Sequence, residues 1–559
     1  MESKFEKLFV KGKGVPSKSL DNHLSSDDLV EFDEGFVDTP IPTLTWRSFV
    51  MGLSVSMGGF IFGYDTGQIA GVLETDDFRR RFGELEASGE TYHFSRVRAG
   101  LIVALISIGT LIGALVAAPF ADRFGRKWTM SGCCVIIIVG VIIQMTSEYP
   151  KWYQVVLGRW VAGLGVGALS VLVPLYQSES APRHIRGAII SCYQLFNTLG
   201  ILTANCINLG TGNRSDSGAW RIPLGVTFIR ILILGIGALF FPDSPRYDYR
   251  AGRIDKAKKS LMRFYGIPHN HKRLHLELEG IREKYEEDMA AQDERWYHMF
   301  SAPGMKHRLL LGAALHGLHQ LTGANFFFYT AATVFRGFGV QNRYISQVIL
   351  GAIEFGGSCL SLYTVENFGR RKSLIVGATW MSVCCAVYAS IGHFELNEAM
   401  PELTPSSGRA MVVVACLFML GFASTWGPIV WVIIAEIYPS RYRARAMGFA
   451  TASNWLWNFL LAFFTPFITE AIDFRYGYIF SGCLFVGVAT VYFGVIEGKG
   501  RTIEEIDTMY SLPIPTWTSG DETPRNPPTL AGENQTSYHT GASNPCDISE
   551  PSSRNDPNS

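Results

Sequence analysis

The amino-acid sequence predicts an all-α membrane protein in which twelve transmembrane helices form two pseudo-symmetric bundles of six. The first observation is a set of twelve apolar runs, each longer than the roughly 18 residues that distinguish a membrane span from a buried core helix. The second is that charged motifs of the first half recur in the second half, and the third is one long polar insert between them. The runs cover residues 47–73, 99–119, 128–147, 152–178, 187–209, 222–241, 308–335, 343–365, 373–393, 409–437, 446–470 and 476–496.

The composition agrees with a membrane protein and excludes several functional classes. Of the 559 residues, 48% are hydrophobic, and 49 basic residues balance 49 acidic ones, which excludes a nucleic-acid-binding protein. Nine of the ten cysteines lie in apolar runs without metal-ligand spacing, so we expect neither disulfides nor a metal site. The sequence shows no nucleophile–base set and no phosphate-binding loop, and we therefore expect neither an enzyme nor a cofactor.

The loops between the apolar runs predict how the chain is oriented. With a cytoplasmic N-terminus, four short inner loops hold 11 Lys and Arg residues in 31 positions, whereas the outer loops hold 10 in 68. Basic residues concentrate on the cytoplasmic side of membrane proteins, so both termini are predicted to be cytoplasmic. The sequence has no evident signal peptide or retention signal, which predicts the plasma membrane as its location.

Charged motifs repeat at nearly one spacing along the chain. DRFGRK at 122–127 resembles ENFGRRK at 366–372, 244 residues later, and segment 179–186 resembles segment 436–443, 257 residues later. Such a repeat indicates two copies of one structural unit. The predicted organisation is a polar cytoplasmic segment at 1–45, a six-helix bundle at 46–241, a cytoplasmic helical linker at 242–307, a second six-helix bundle at 308–496, and a mostly disordered cytoplasmic tail at 497–559.

Two six-span halves with a route between them are typical of a secondary transporter, because a site at the repeat interface can open alternately to each side. The sequence repeats neither a pore loop nor a charged ring of the kind found in channels. It also lacks the Walker motif that ATP-driven transport requires. The residues alone therefore favour a secondary transporter.

Eight motifs spread along the chain support this interpretation. They are GYDTGQIAG at 63–71, DRFGRK at 122–127, GRWVAGLGVG at 158–167, PLYQSESAPRHIRG at 174–187, PDSPR at 242–246, HQLTGANFFFY at 319–329, TWGPIVW at 425–431 and EGKGRTIEEID at 497–507. Together they resemble the sugar porter family of the major facilitator superfamily, and most of all its fungal hexose transporters. The resemblance covers about residues 46–510. It implies the major facilitator fold, a lipid bilayer around the protein, and transport of a monosaccharide, a hexose such as glucose, by alternating access.

The resemblance also implies a sugar-binding site. A pyranose requires amide groups, each both donor and acceptor, together with an aromatic surface. For the aromatic residues the alternative role is core packing, and for the amides it is hydrogen bonding between helices. The implied positions are Phe62, Gln194, His319, Gln320, Asn325, Tyr329, Glu354, Trp431 and Asn454.

Three positions depart from the family pattern, which usually has glutamine at His319, asparagine at Glu354 and a second tyrosine at Thr330. A neutral imidazole can still donate one hydrogen bond and accept one, but an intramembrane carboxylate requires a partner or a proton. We therefore predict that Glu354 and His319 face each other across the cavity, directly or through one water. Two functions remain open: a hexose transporter with altered affinity or pH response, and a transporter-like glucose sensor. The short tail favours the transporter.

Asp65 and Arg159 lie inside predicted spans, where a lone charge is costly and usually has a partner. By resemblance, this pair links protonation to transport in proton-coupled sugar porters. A static buried ion pair is the alternative. Proton symport and facilitated diffusion therefore both remain open.

Charged residues recur at the inner ends of the spans in both halves. By resemblance they form a gate that closes the cytoplasmic side, and the alternative is that they only mark orientation as basic loop residues. The predicted gate residues are Asp122, Arg123, Arg126, Glu179, Arg186, Glu366, Arg370, Arg371, Glu436 and Arg443.

Overall fold

The computed structural model describes most of the predicted helical region. The described residues are 45–85, 92–182, 185–290, 296–302, 304–337, 339–340, 342–396, 400, 403–439, 441–501 and 503–511. The predicted cytoplasmic segment at 1–45 lies almost wholly outside the described residues. So does the tail from residue 512 onward, where disorder is predicted.

The predicted all-α architecture with twelve spans is confirmed. Within the described residues, nine helical stretches are long and apolar enough to cross a membrane, and one of them, Arg443–Gly494, contains two spans, which makes ten. The other two predicted spans are the helix Trp46–Val72 and the helix pair Met305–Gln320 and Ala324–Gly337. Helices suit a bilayer because each satisfies its own backbone hydrogen bonds. Spans 1 to 6 are Trp46–Val72, Arg96–Phe124, Arg126–Met145, Trp152–Ser180, Arg186–Thr211 and Gly218–Phe240. Spans 7 to 12 are Met305–Gln320 with Ala324–Gly337, Arg343–Asn367, Arg370–Phe394, Pro405–Ser424 with Trp426–Glu436, Arg443–Ile472 and Tyr476–Gly494.

Spans 7 and 10 are each broken into two helices, which the sequence patterns treated as continuous. In span 7 the break includes Gly323, whose φ of +87° lies in the left-handed region that favours glycine. A Cβ at this position would also lie 2.7 Å from Phe480. In span 10 the break falls at Thr425, whose φ of −130° and ψ of −82° leave the helical region. Broken helices free backbone groups near the membrane centre, where many transporters bind substrate.

Short helices fill the polar insert between the two halves. They are Pro245–Arg250, Ile254–Tyr265 and Lys272–Ala290, followed by the 3-10 helix Trp296–Phe300. The first begins because Ser244 caps it and Pro245 occupies its first position. The second ends at Gly266 in the left-handed conformation. The described residues between positions 245 and 300 therefore contain three short α-helices and one 3-10 helix.

Smaller elements complete the fold outside the spans. Between spans 1 and 2, the helix Asp76–Phe82 precedes a short antiparallel hairpin, in which β1 (Glu84–Leu85) pairs with β2 (Tyr92–His93). The 3-10 helix Asp473–Arg475 joins spans 11 and 12, and the helix Ile503–Ser511 follows span 12.

A glycine seam in span 1, formed by Gly59, Gly63, Gly67 and Gly71, packs against span 5. A Cβ at Gly59 or Gly63 would collide with the carbonyl oxygens of Tyr193 or Asn197. The four-residue spacing places these glycines on one face of the helix and lets the two backbones approach closely, as in other membrane helix pairs. Spans 1 and 5 therefore form one tightly packed unit.

An ion-pair cluster attaches the last described helix to the second bundle. Arg308, at the start of span 7, lies 2.5 Å from a carboxylate oxygen of Asp507, and Lys284 of the linker lies 2.9 Å from the other oxygen. Burial alone would raise the pKa of Asp507, but the hydrogen bond from Arg308 and the charge of Lys284 outweigh it and hold this pKa below its ordinary value. The helix Ile503–Ser511 is thus fixed by charge beneath the bundle.

We expect Asp507→Asn to destabilise the folded protein by about 3 kcal/mol, because the buried Arg308 loses its counter-ion. The pKa is lowered by folding, so the carboxylate stabilises the fold at pH above its unfolded pKa, and this contribution is lost as the pH falls through the lower folded value. Thermal unfolding of the purified protein from pH 7 to pH 3 would measure both effects. The change Asp255→Asn, at an exposed position of the linker, is the control, and equal losses in both variants would contradict the assignment.

Candidate functional site

A cavity of about 150 Å³ lies between the two halves, lined by residues of spans 1, 5, 7, 8, 10 and 11. It brings together eight of the nine predicted binding residues. These are Phe62, Gln194, His319, Gln320, Asn325, Glu354, Trp431 and Asn454. Tyr329 lies instead in a separate outer groove with 52% of its surface exposed. Phe328, one residue earlier, is the last residue of this helix that lines the cavity, whereas Tyr329 lines the outer groove.

Hydrogen-bonded amides line one side of the cavity. The Gln320 side-chain nitrogen donates to Asn454 at 3.1 Å, while Asn458 donates to the Gln320 oxygen at 3.4 Å. The hydroxyl of Ser107 in span 2 donates to Asn458 at 2.8 Å. This series of hydrogen bonds orients the amides and connects span 7, through span 11, to span 2 of the first half. The amides offer both donors and acceptors to a polar ligand.

Aromatic rings form another wall of the cavity. Trp431, in the second helix of span 10, has its ring centroid 4.7 Å from that of His316 and 5.2 Å from that of Tyr193. Phe62 meets Trp455 edge to face with a centroid separation of 4.8 Å. These packed rings place apolar surface beside the amides, an arrangement suited to a ligand with both polar and apolar faces.

His319 and Glu354 line the same cavity but form no direct hydrogen bond with each other. Both ring nitrogens of His319 and one carboxylate oxygen of Glu354 lack a hydrogen-bond partner among the described residues. His319 lies between aromatic rings, with centroids 5.5 Å from Phe422 and 6.4 Å from Trp431. The direct form of the predicted pairing is therefore not observed, and the form that runs through one water stays a prediction.

The contact expected between Asp65 and Arg159 is present. Their side chains lie 3.4 Å apart inside the first bundle, where Arg159 is 1% exposed, and Gln68 donates to Asp65 at 3.2 Å. A second buried cation, Arg230 in span 6, lies 3.2 Å from the ring centroid of Tyr64. Arg230 was not among the predicted site residues, although an ionisable residue inside an apolar run indicates a candidate functional position.

The predicted gate contains one buried ion pair in each half. Arg126 and Glu179 form two hydrogen bonds of 3.0 Å, with only 3% and 5% of their side chains exposed. Arg370 and Glu436 occupy the corresponding positions in the second half at 3.3 Å, with 3% and 6% exposed. The charge pattern that repeats in the sequence is therefore a repeated structural contact.

Two carboxylates that the sequence analysis did not select complete this repeat. Asp243 accepts a hydrogen bond from the backbone nitrogen of Arg126 at 3.0 Å. Glu497 accepts from the backbone nitrogens of Arg370 and Arg371 at 2.9 and 3.1 Å. Each acid lies at the first turn of a span, where the helix dipole favours negative charge. The spacing of the sequence repeat could have identified Asp243 and Glu497, because each follows the last span of its half.

A contact between the halves closes the inner side. The Glu366 carboxylate in span 8 accepts a hydrogen bond at 2.8 Å from the backbone nitrogen of Ala188 in span 5. Next to it, a Cβ at Gly187 would lie 2.6 Å from the guanidinium of Arg370. The start of span 5 thus rests on the charge cluster of the opposite half.

The remaining predicted gate residues have other surroundings. Arg123 and Arg371 each lie over an aromatic ring of their own half. Asp122, with 38% of its side chain exposed, lies 3.6 Å from a guanidinium of its own half. Arg186 and Arg443 are buried at the starts of spans 5 and 11. The gate therefore has a buried centre and an exposed margin.

Several residues that line the cavity were missed in the sequence. Asn197 follows Gln194 by three residues and Asn458 follows Asn454 by four, so helical spacing could have identified both. Asn205 donates at 3.2 Å to the carbonyl of Gln347, linking span 5 to span 8 at the cavity wall. The other missed polar or aromatic lining residues are Thr66, Phe328 and Phe422.

We expect Glu366→Gln to shift the protein toward a conformation that is open on the inner side, because the hydrogen bond between the halves loses its charge. Spin labels can be placed at the inner ends of spans 5 and 8, and the distance between them measured by pulsed electron paramagnetic resonance. In the variant, a larger fraction of molecules should show the longer distance. Asp122→Asn is the matched control, because its carboxylate is exposed and pairs within one half. The same distance distribution in both variants would show that Glu366 does not hold the gate.

Known proteins are similar to this chain over most of its length. The family described as "Sugar (and other) transporter" matches residues 51–510. The low-affinity glucose transporter HXT3 of Saccharomyces cerevisiae is 44% identical over 84% of this chain and 83% of its own, and the high-affinity fructose transporter ght6 of Schizosaccharomyces pombe is 41% identical over 85% and 89%.

Solved structures share the fold. The proton:xylose symporter XylE bound to 6-bromo-6-deoxy-D-glucose aligns with a TM-score of 0.72 and 24% identity, covering 83% of this chain and 99% of its own. The TM-score falls to 0.61, at 23% identity, for the inward-open conformation of XylE from E. coli, which covers 83% and 99%. From its sequence matches and its fold, this chain belongs to the family of sugar transporters of the major facilitator superfamily.

Proposed function

We propose that this protein carries a hexose, with glucose as the first candidate, across the plasma membrane by alternating access. The observation that carries the proposal is the central cavity, where amides and aromatic rings meet between two halves. Each half holds a buried ion pair at its inner end, and Glu366 joins the halves there. Sugar hydroxyls match the donors and acceptors of the amides, and the apolar face of a pyranose matches the rings. Both termini are cytoplasmic in this proposal.

Transport is favoured over sensing. The relatives described above are named as glucose and fructose transporters. The two-half architecture with a repeated gate also provides the moving parts that transport requires. Uptake of radiolabelled glucose by a host without its own hexose carriers tests the proposal directly. Expression at the cell surface with glucose binding but no uptake would favour the sensor instead.

We expect Gln320→Ala and Asn454→Ala each to weaken glucose binding by about 1–3 kcal/mol, because the sugar and the partner amide lose hydrogen bonds. Trp431→Ala should also weaken binding by removing the apolar wall. Binding to purified protein, followed by calorimetry or tryptophan fluorescence, would measure these losses. Tyr329→Ala is the matched control, because this residue lies outside the cavity. Unchanged affinity in the three cavity variants would refute the site.

We propose Asp65 as the proton carrier, with Arg159 as the group that responds to its charge. If the protein is a symporter, external pH should rise as sugar enters. Asp65→Asn should then preserve sugar exchange across the proteoliposome membrane while abolishing uphill accumulation of sugar. The reason is that asparagine permanently mimics the protonated form of Asp65. If the unaltered protein only equilibrates sugar and moves no protons, the pair is static and transport is facilitated diffusion.

We expect His319 and Glu354 to tune affinity together, because both place polar atoms without partners in one cavity. His319→Gln and Glu354→Asn should each alter glucose affinity, whereas the double change should restore it and flatten its pH dependence. A coupling of about 0.5 kcal/mol or more in the double-mutant cycle would indicate interaction through the ligand or a water. Strictly additive changes would show that the two residues act independently.

A further inference from the structure

A second recess, of about 320 Å³, lies where the inner ends of spans 2, 3 and 6 meet the linker helices. It is far more basic than the central cavity. Its charged lining residues are Lys127, Asp243, Asp248, Arg253, Lys256, Lys259 and Arg263. Five positive side chains therefore face two negative ones, so the recess attracts anions.

The acidic residues of this recess are already engaged by the protein. Asp243 accepts hydrogen bonds from backbone nitrogens of residues 126 and 244. Asp248 pairs with Arg253 at 3.0 Å, and only 5% of its side chain is exposed. The carboxylates thus neutralise internal groups, whereas Lys256, Lys259 and Arg263 extend from an exposed face of the linker helix. The positive charge that remains is available to a ligand.

The spacing of these three residues indicates the size of the ligand. Lys256, Lys259 and Arg263 follow one another at intervals of three and four, which places them on one helix face. They span about 10 Å along the helix axis, since each residue advances the helix by 1.5 Å. A single phosphate is smaller than this row. A head group with several phosphates can reach all three side chains.

Exposed aromatic residues place the recess at the membrane surface. Phe124 and Trp128 line its wall with 52% and 58% of their surfaces exposed, and Phe240 at the adjacent end of span 6 is 74% exposed. Aromatic rings at the ends of spans lie at the level of lipid head groups. The exposed apolar face of span 6, including Ile236, continues from this point toward the bilayer centre and can contact acyl chains.

We propose that this recess binds an anionic lipid of the cytoplasmic leaflet whose head group carries several phosphates, the phosphoinositide class. The row of basic residues receives the phosphates, Trp128 and Phe124 contact the glycerol region, and the face of span 6 contacts the acyl chains. The proposal rests on the cytoplasmic orientation given above for the linker. Basic pockets at the cytoplasmic ends of membrane helices bind such head groups elsewhere.

The test measures binding of dioctanoyl phosphatidylinositol 4,5-bisphosphate to the purified full-length protein by native mass spectrometry. We expect it to bind at least about tenfold more tightly than dioctanoyl phosphatidylserine, because several phosphates meet several basic side chains. The triple variant Lys256→Gln, Lys259→Gln, Arg263→Gln should lose this preference. The matched control, Lys258→Gln, Lys272→Gln, Lys306→Gln, removes the same charge outside the recess and should retain it.

Two further measurements distinguish binding of the lipid from binding of a soluble phosphate compound. Inositol 1,4,5-trisphosphate, which has no acyl chains, should bind at least about tenfold more weakly than the lipid, and Trp128→Ala should reduce binding of the lipid only. Glucose binding by each variant reports whether the protein is folded. Equal losses in both triple variants, equal affinity for the trisphosphate, or no binding by the unaltered protein would each overturn the proposal.

Discussion

A buried ion pair at the inner ends of the spans stabilises each half, and one hydrogen bond joins the two halves there. The pairs Arg126–Glu179 and Arg370–Glu436 are almost fully shielded from solvent, and Glu366 adds a bond from one half to the backbone of the other. Removing one member of such a buried pair costs about 3–5 kcal/mol. On the outer side Arg96 pairs with Glu470, but more than half of each side chain is exposed, so this pair contributes about 1 kcal/mol or less. The ion pairs buried within the halves therefore contribute more to stability than this exposed pair between them.

Part of the polar lining of the central cavity comes from the ends of the broken helices. His319 and Gln320 end the first helix of span 7, and Asn325 is the second residue of the next helix. In span 10, Trp431 lies on the short helix that begins after Thr425. A bilayer tolerates such breaks only where protein or a cavity surrounds the freed backbone groups. The breaks therefore belong to the interface between the halves, where a ligand can be enclosed.

Sequence patterns predicted the spans and the repeat, because the length of an apolar run and the residues of a motif are local properties. Eight of the nine predicted binding residues line the central cavity. The patterns did not predict the break in span 10, since the backbone of Thr425 depends on its packing environment. They also placed Tyr329 in the site, because a motif identifies a residue without showing which cavity its side chain lines. The direct bond between His319 and Glu354 failed for a related reason. Residues unusual in sequence can line one cavity without touching.

The glycine seam between spans 1 and 5 has a consequence for how the protein can change over evolutionary time. No side chain larger than hydrogen fits at Gly59 or Gly63, so these positions permit almost no variation. Cavity residues such as Glu354 meet open space instead, and their replacement leaves the frame intact. Substrate preference can therefore diverge by single substitutions while the scaffold stays constant. A lineage of such carriers can acquire new sugars without refolding.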